Sequence, residues 1–282
     1  MEYKRLNDVQ IPMVGLGTYT LHGRDLYHVL DEYGTSDIML IDTAFKYQNE
    51  TEIGQYLQDN HIQREKVVLQ TKLSVVEQNP IKIMGIPMFR KSPRQTLMGG
   101  GKRLCVNKVD IYLLHSPSNG YEKRYAAIAK LRNKGLVTLT GVCSFNIKQL
   151  ADIYNICGEY PQINQIELHP YYSNKNVIDF SKEHNIQLEA RSPFAHGDVM
   201  EEWMANPILT DIAHDHHKTV PQIILRWIVQ QDIIALPRSK NPQHVKENIN
   251  IFDFTLDETQ MRKIDSLNRD QSFGYKSQRL RE

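Results

Sequence analysis

Residues 38–50 read IMLIDTAFKYQNE. Four apolar residues run into Asp42, and Tyr47 follows five positions later. An apolar run this short has the length of a buried strand, and its polar end marks where the chain leaves the core. The form recurs as VVLQTKL at 67–73, carrying Lys72, and VDIYLLHSP at 109–117, carrying His115. It recurs again as INQIELHP at 163–170. The anchors lie far apart in sequence. A fold that gathers the C-terminal ends of parallel strands brings Asp42, Tyr47, Lys72 and His115 together.

Working outward, further strand candidates are 13–17, 136–142, 186–190 and 233–236, which makes eight with 38–42, 67–71, 109–114 and 163–167. Helical periodicity falls between them, at 50–58, 125–134, 148–157, 177–184 and 220–229. Gly135 is placed to stop one helix, and Pro221 to sit in the first turn of another. Strand and helix alternate along the chain, as parallel strands with helical crossovers require. The pattern predicts an α/β fold: a (β/α)8 TIM barrel over residues 1–282 as one domain, its active site at the C-terminal mouth. A short N-terminal β-hairpin should turn at Asn7-Asp8. The opposing doubly wound sheet needs a glycine-rich turn after its first strand. Neither 15–18 (GLGT) nor Gly99–Gly101 supplies one. The stretch 79–101, with three prolines and three consecutive glycines, reads as a loose excursion.

The 282 residues hold 34 Lys and Arg against 33 Asp and Glu. A net charge of +1 gives no electrostatic case for nucleic acid or an anionic membrane. Cys105, Cys143 and Cys157 have neither even pairing nor zinc spacing. No apolar stretch is long enough for a membrane span, and the N-terminus does not read as a secretory signal. These features predict a cytoplasmic protein, monomeric, with a small molecule as its partner.

Taken singly, Asp42 is a helix cap, Lys72 a surface charge, His115 a structural histidine and Tyr47 a half-buried aromatic. Together they make a tuned proton donor. A phenol titrates near 10, too high for fast donation at neutral pH. Lys72 beside it is expected to lower that value, with Asp42 holding Lys72 charged. His115 would orient an incoming carbonyl oxygen. No side chain donates hydride, so a bound nicotinamide is implied. Gln165 offers both donor and acceptor for its carboxamide, and Cys143 and Ser144 close a neighbouring strand. PRSKNPQHVKEN at 237–248 offers an anion site: Arg238, Ser239 and the start of a helix near Pro242. The histidine-rich 214–217 (HDHH) suggests a metal-dependent hydrolase, but adjacent residues of a polar helix-start explain it more simply. No metal site is expected.

The chain resembles the aldo-keto reductase family from about Leu6 to Leu267. The resemblance rests on VGLGTY, DTAFKYQNE, the Lys72 strand end, LLHSP, GVCSFN, NQIELHPY and LPRSKNPQHVKENINIFDF, in that order. It implies a (β/α)8 reductase that binds NADPH and interconverts carbonyl compounds and alcohols, with NADH the weaker cofactor. It also implies Tyr47 as general acid, tuned by Lys72 and Asp42, and His115 as substrate orienter. The cofactor would be bound by Gly17, Thr18, Asp42, Cys143, Ser144, Gln165, Arg191, Ser192, Pro193, Arg238, Ser239, His244, Glu247 and Asn248. Substrate would meet Tyr19, Phe45, Tyr47, His115 and Ser116.

Departures from the family pattern are local. Cys143-Ser144 stands for a Ser-Asn pair, Arg191 for a stacking aromatic, Arg238 for a lysine, His244 for an arginine and Ser116 for a tryptophan. Met84, Ile86, Met88 and Phe89 are candidates for a lid. The competing reading is a slow or inactive nicotinamide-binding redox sensor or interaction module on the same fold.

Overall fold

The computed structural model describes residues 1–74 and 91–274, and the backbone alone of 82–83 and 86–87. The hairpin comes first: β1 (Tyr3–Leu6) pairs antiparallel with β2 (Val9–Pro12). Asn7 makes the turn at φ 50°, a left-handed conformation that Asn tolerates. Then follow β3 (Leu16–Gly17), β4 (Met39–Asp42) and β5 (Val67–Leu73). A two-stranded ladder, β6 (Lys82–Ile83) with β7 (Ile86–Pro87), interrupts the alternation. The chain resumes with β8 (Val109–Leu114), β9 (Val137–Cys143), β10 (Ile163–Glu167), β11 (Gln187–Arg191) and β12 (Ile234–Leu236).

Eight of these strands form one parallel sheet in the order β3-β4-β5-β8-β9-β10-β11-β12. A parallel bridge between Val14 and Ala235 joins its two edges. The Gly15 N–H donates to Ala235 O at 2.8 Å, and the Gly17 N–H to Pro237 O at 2.9 Å. The sheet is thereby closed into the expected barrel, and no edge is left to pair with another chain.

The helices are α1 (Gly23–Tyr33), α2 (Glu50–Asp59), α3 (Pro93–Arg103), α4 (Tyr121–Asn133), α5 (Ile147–Cys157) and α6 (Lys175–Glu183). After β11 come α7 (Met200–Met204), α8 (Pro207–Asp215) and α9 (Val220–Val229), then α10 (Pro242–Ile249) and α11 (Glu258–Asp265). Among the described residues no helix is long and apolar enough to cross a membrane.

The strands bury both faces, in two layers of core. Leu40, Val68, Ile111, Leu113, Leu139 and Ile163 pack in one apolar cluster. Their neighbours Ile41, Leu69, Tyr112 and Val142 pack in another with α1 residues Leu26, Val29 and Leu30. The two-residue period of a strand separates these sets. Continued toward the C-terminal ends, the inner set becomes polar: Asp42 after Leu40, Gln70 and Lys72 after Val68, His115 after Leu113.

Two expectations change, and a third goes untested. The supposed loose excursion contains α3, which Ser92 and Gln95 cap reciprocally, with Pro93 in the first turn. One of its glycines is closely packed: a Cβ on Gly101 would stand 3.0 Å from Val106 O. The histidines of 214–217 end a helix instead of starting one, and His216 Nε2 lies 3.0 Å from Gln260 Oε1. Met84, Met88 and Phe89 lie outside the described residues, as does the side chain of Ile86.

The junction of α2 with α3 is the tightest of these contacts. A Cβ on Gly54 would stand 2.4 Å from Arg103 O and 2.7 Å from Leu104 C. Alanine is the better helix former by about 1 kcal/mol, yet backbone on the other side cannot yield. Gly54→Ala should therefore destabilise the fold by about 1–3 kcal/mol net. Urea unfolding that finds the variant as stable as the parent would contradict this packing.

Candidate active site

Lys72 sits at the centre of the mouth, fully buried. Its Nζ donates to Asp42 Oδ1 at 2.5 Å, to Thr43 O at 3.1 Å and to Tyr47 Oη at 3.3 Å. Tyr47 reaches back because residues 45–47 form a single helical turn after β4, closed by Gln48 at φ 61°. Buried Asn49 holds that loop, accepting from Thr43 Oγ1 at 2.7 Å and donating to Thr18 O and Leu21 O. His115 follows β8, its ring centroid 5.8 Å from that of Tyr47 in an edge-on contact, and Tyr19 packs on the other side at 5.1 Å.

The electrostatics differ from the expectation in one respect. Burial raises the Tyr47 phenol to about 12, and the downward pull of Lys72 offsets this only in part. The expected net lowering is therefore corrected. The phenol is half-buried against Lys72, Tyr19 and His115, and a phenolate there loses more hydration than one cation returns. Burial works against the Lys72 ammonium too, but Asp42 outweighs it, helped by Tyr47 and Cys143, and raises the group. Burial, then Lys72, Lys46 and Arg191, push His115 down to about 3, so its imidazole is neutral. The free site thus holds a protonated phenol, an ammonium and a neutral imidazole.

These groups open into a cavity of about 550 Å³, lined also by Gly17, Tyr19, Cys143, Gln165, Arg191 and Ser192. The cavity continues past Pro193 to Arg238, Ser239, His244, Glu247 and Asn248. Thr18, Phe45, Ser116 and Ser144 are not among its lining residues. Thr18 is buried and spends its hydroxyl on Asp42 O at 2.9 Å. Phe45 lies beneath the Arg103 guanidinium at 4.8 Å, with Arg103 held on Glu50 at 2.6 Å. Ser144 accepts from Arg191 Nε at 3.3 Å. Its φ of 64° suits Asn better than Ser.

Arg191 is anchored behind the cavity wall, 3.6 Å from Glu167 Oε2. Glu167 also accepts from Ser272 Oγ at 2.7 Å and from the Phe273 and Gly274 N–H groups, and pairs with His169 at 3.1 Å. This carboxylate ties the segment at 272–274 to the barrel. At the far end, Arg238 Nη1 donates to Thr20 Oγ1 at 3.1 Å, and Lys240 pairs with Asp25 at 3.2 Å. Asn241 caps α10 through the Gln243 N–H.

Several functional candidates were not singled out from sequence. Gln70 and Glu189 lie beneath the tetrad, two positions before Lys72 and Arg191, so the strand period points them inward. Lys46, Phe194, His196, Met200 and Met204 line the cavity, and no periodicity marks the 194–204 stretch. Among the described residues no cluster of three His, Cys, Asp or Glu could hold a metal ion.

A buried tyrosine–lysine–aspartate chain at a barrel mouth, opening on a basic loop, is matched by comparison with known proteins. The family model for the Aldo/keto reductase family aligns with residues 13–269. The chain belongs to the aldo/keto reductase family. Glyoxal reductase of Bacillus subtilis is 32% identical over 270 residues, spanning 95% of this chain and 93% of that protein. The crystal structure of an aldo-keto reductase enzyme from a Medee basin deep-sea metagenome library superposes with a TM-score of 0.84 at 31% identity. That match covers 97% of this chain and 98% of the other. A Bombyx mori aldo-keto reductase, solved in complex with NADP, gives 0.84 at 26% identity, covering 98% and 95%. The aldo/keto reductase described here is an enzyme, an oxidoreductase of carbonyl chemistry.

Glu167 gives a pH test of how the site is held. Burial alone would raise its carboxyl, but the His169 hydrogen bond, the Arg191 charge and the donors from Ser272 and Phe273 hold it at about 2. Its unfolded value is about 4.3. The resulting stability is present above about pH 4.3 and is lost as pH falls through 2, about 2–3 kcal/mol in all. Glu167→Gln should cost that much at pH 7, and denaturation curves of the two proteins should draw together as pH falls below about 4 and meet only near about pH 2. A gap that stays constant with pH would deny Glu167 its ionised role.

Proposed function

We propose that this chain reduces small aldehydes, ketones and 1,2-dicarbonyl compounds with NADPH, Tyr47 giving the proton. The Lys72-backed Tyr47 hydroxyl opens on the same cavity as the Arg238 loop, and this carries the reading. The similarity to glyoxal reductase supports the substrate class, and the NADP complex of the Bombyx mori relative supports the cofactor. The same reading has the protein working as a cytoplasmic monomer.

The residues fit such a cofactor. Arg238 supplies a guanidinium fork for a 2′-phosphate, with Ser239 and His244 beside it. Gln165 supplies donor and acceptor for a carboxamide. Gly17 lines the same cavity. When bound, NADPH supplies a hydride to the carbonyl carbon. The side chains do the rest. His115, neutral, donates a hydrogen bond to the carbonyl oxygen and orients it. As the C–O double bond becomes single, Tyr47 transfers its proton to that oxygen. The phenolate left behind is met by Lys72, whose charge Asp42 fixes, and Tyr47 regains a proton from solvent.

Tyr47→Phe keeps the ring and removes the hydroxyl. It should lower carbonyl reduction by about 10²–10⁴-fold, while fluorescence titration finds NADPH binding close to that of the parent. Parental turnover by this variant would take the acid role away from Tyr47.

Arg238→Ala should weaken NADPH more than NADH, because only NADPH carries the 2′-phosphate. A charge-assisted contact of this kind contributes about 1.5–3 kcal/mol. His244→Arg should shift discrimination the other way. The ratio of the two dissociation constants at fixed ionic strength decides. Equal loss of both cofactors would place Arg238 on a group they share.

A further inference from the structure

Beneath the tetrad lies a second carboxyl group that the mechanism above leaves unused. Glu189, on β11, is completely buried. Its Oε2 accepts from Gln70 Nε2 at 2.7 Å and from Gln165 Nε2 at 2.9 Å. The same two nitrogens donate to Asp42 Oδ1, at 2.8 and 3.2 Å. Two amide groups therefore bridge two carboxyl groups across the barrel interior. The contact from β5 to β11 skips three strands, so it must cross the lumen. Asp42 Oδ1 also receives Lys72, whereas among the described residues Glu189 Oε1 has no hydrogen-bond partner, and neither has Gln70 Oε1.

Charge counting compares the two carboxyl groups. From β4 comes Asp42, from β5 Lys72 with neutral Gln70, and from β10 neutral Gln165. Tyr47 and Cys143 stand beyond Lys72. Flanking β12 presents Ile234 opposite Glu189, and β3 contributes Leu16 and Gly17. Arg191, two positions along β11, is engaged by Glu167. One ammonium thus faces two carboxyl groups. With both ionised, the buried cluster carries a net negative charge, with an oxygen of Glu189 unsolvated. With Glu189 protonated it is neutral.

We propose that Glu189 carries a proton that it gives up as pH rises through neutrality, and that it acts as a positioning residue that sets the acid strength of Tyr47. The inference rests on the reading of Tyr47 as proton donor. When Tyr47 gives up its proton, the cluster passes from neutral to one negative charge if Glu189 is protonated. If Glu189 is ionised it passes from one to two, a costlier step in the interior. Carbonyl reduction should therefore fall as Glu189 ionises. Burial first, then the Asp42 charge, raise the Glu189 carboxyl to about 7, well below the Tyr47 phenol, so the two ionisations are separable.

Two readouts test this. Infrared difference spectra, parent minus Glu189→Gln and without cofactor, should contain the carbonyl band of a protonated carboxylic acid at pH 6 that disappears by pH 9. Single-turnover reduction by the parent should fall about five- to twentyfold over the same range, the effect of one charge across a few ångströms of partly polar interior. Glu189→Gln, isosteric and neutral, should show no such fall. Gln70→Leu removes a donor that favours the ionised carboxyl, so it should move the fall to higher pH. Absence of the acid band at pH 6 would overturn the proposal, as would superimposable pH profiles for the parent and Glu189→Gln. A band without turnover at any pH would locate the failure in the functional reading, and the tuning role would fall with it.

Discussion

The site depends on one buried ion pair, Lys72 with Asp42 at 2.5 Å. A lysine with no exposed surface keeps its charge only if a carboxylate and further acceptors replace water. Asp42 provides the first, and Thr43 O and Tyr47 Oη provide the others. Removing either partner leaves an uncompensated buried charge, typically about 3–5 kcal/mol. The pair exists because β4 and β5 are neighbours whose inner positions run from aliphatic to polar at the same end. Its geometry then fixes Tyr47, since the phenol has one cation within reach.

Around this pair the barrel trades local comfort for shape. Ser144, Ser192, Ala195 and His196 all have positive φ, between 45° and 64°. Such conformations cost non-glycine residues free energy and persist where surrounding structure dictates them. All four belong to the loops after β9 and β11, which wall the cavity. Arg191 stands between those loops, braced by Glu167, and Glu167 in turn fastens the segment at 272–274. The cavity wall and the segment at 272–274 therefore share one carboxylate, so a change at either is felt by the other.

Much of this was legible in the sequence. Eight short apolar runs gave the barrel and its strand ends, since a parallel strand buried on both faces is mostly apolar. The Asn7-Asp8 turn gave the hairpin. Asp42, Lys72 and His115 stood out because a charged or polar group abruptly ends such a run. Other features were hidden for physical reasons. Gly99–Gly101 reads as irregular chain, yet it lies within α3, where Gly101 packs against the Val106 carbonyl. In α1, Leu26, Val29, Leu30 and Tyr33 carry the helical period but follow a polar start. Gln70 and Glu189 lie inside strands, where a polar side chain makes sense only once its partner across the lumen is known. The direction of the Tyr47 shift was equally out of reach, because it balances one cation against a depth of burial that only the fold sets.

The most direct measurement follows NADPH absorbance as the purified protein meets a panel of aldehydes, ketones and dicarbonyls, with cofactor binding measured in parallel. Substrate-dependent oxidation of NADPH is expected, with alcohol formed in equal amount. Tight NADPH binding with no turnover across the panel would contradict it, and would make this barrel a nicotinamide-binding module instead of a reductase.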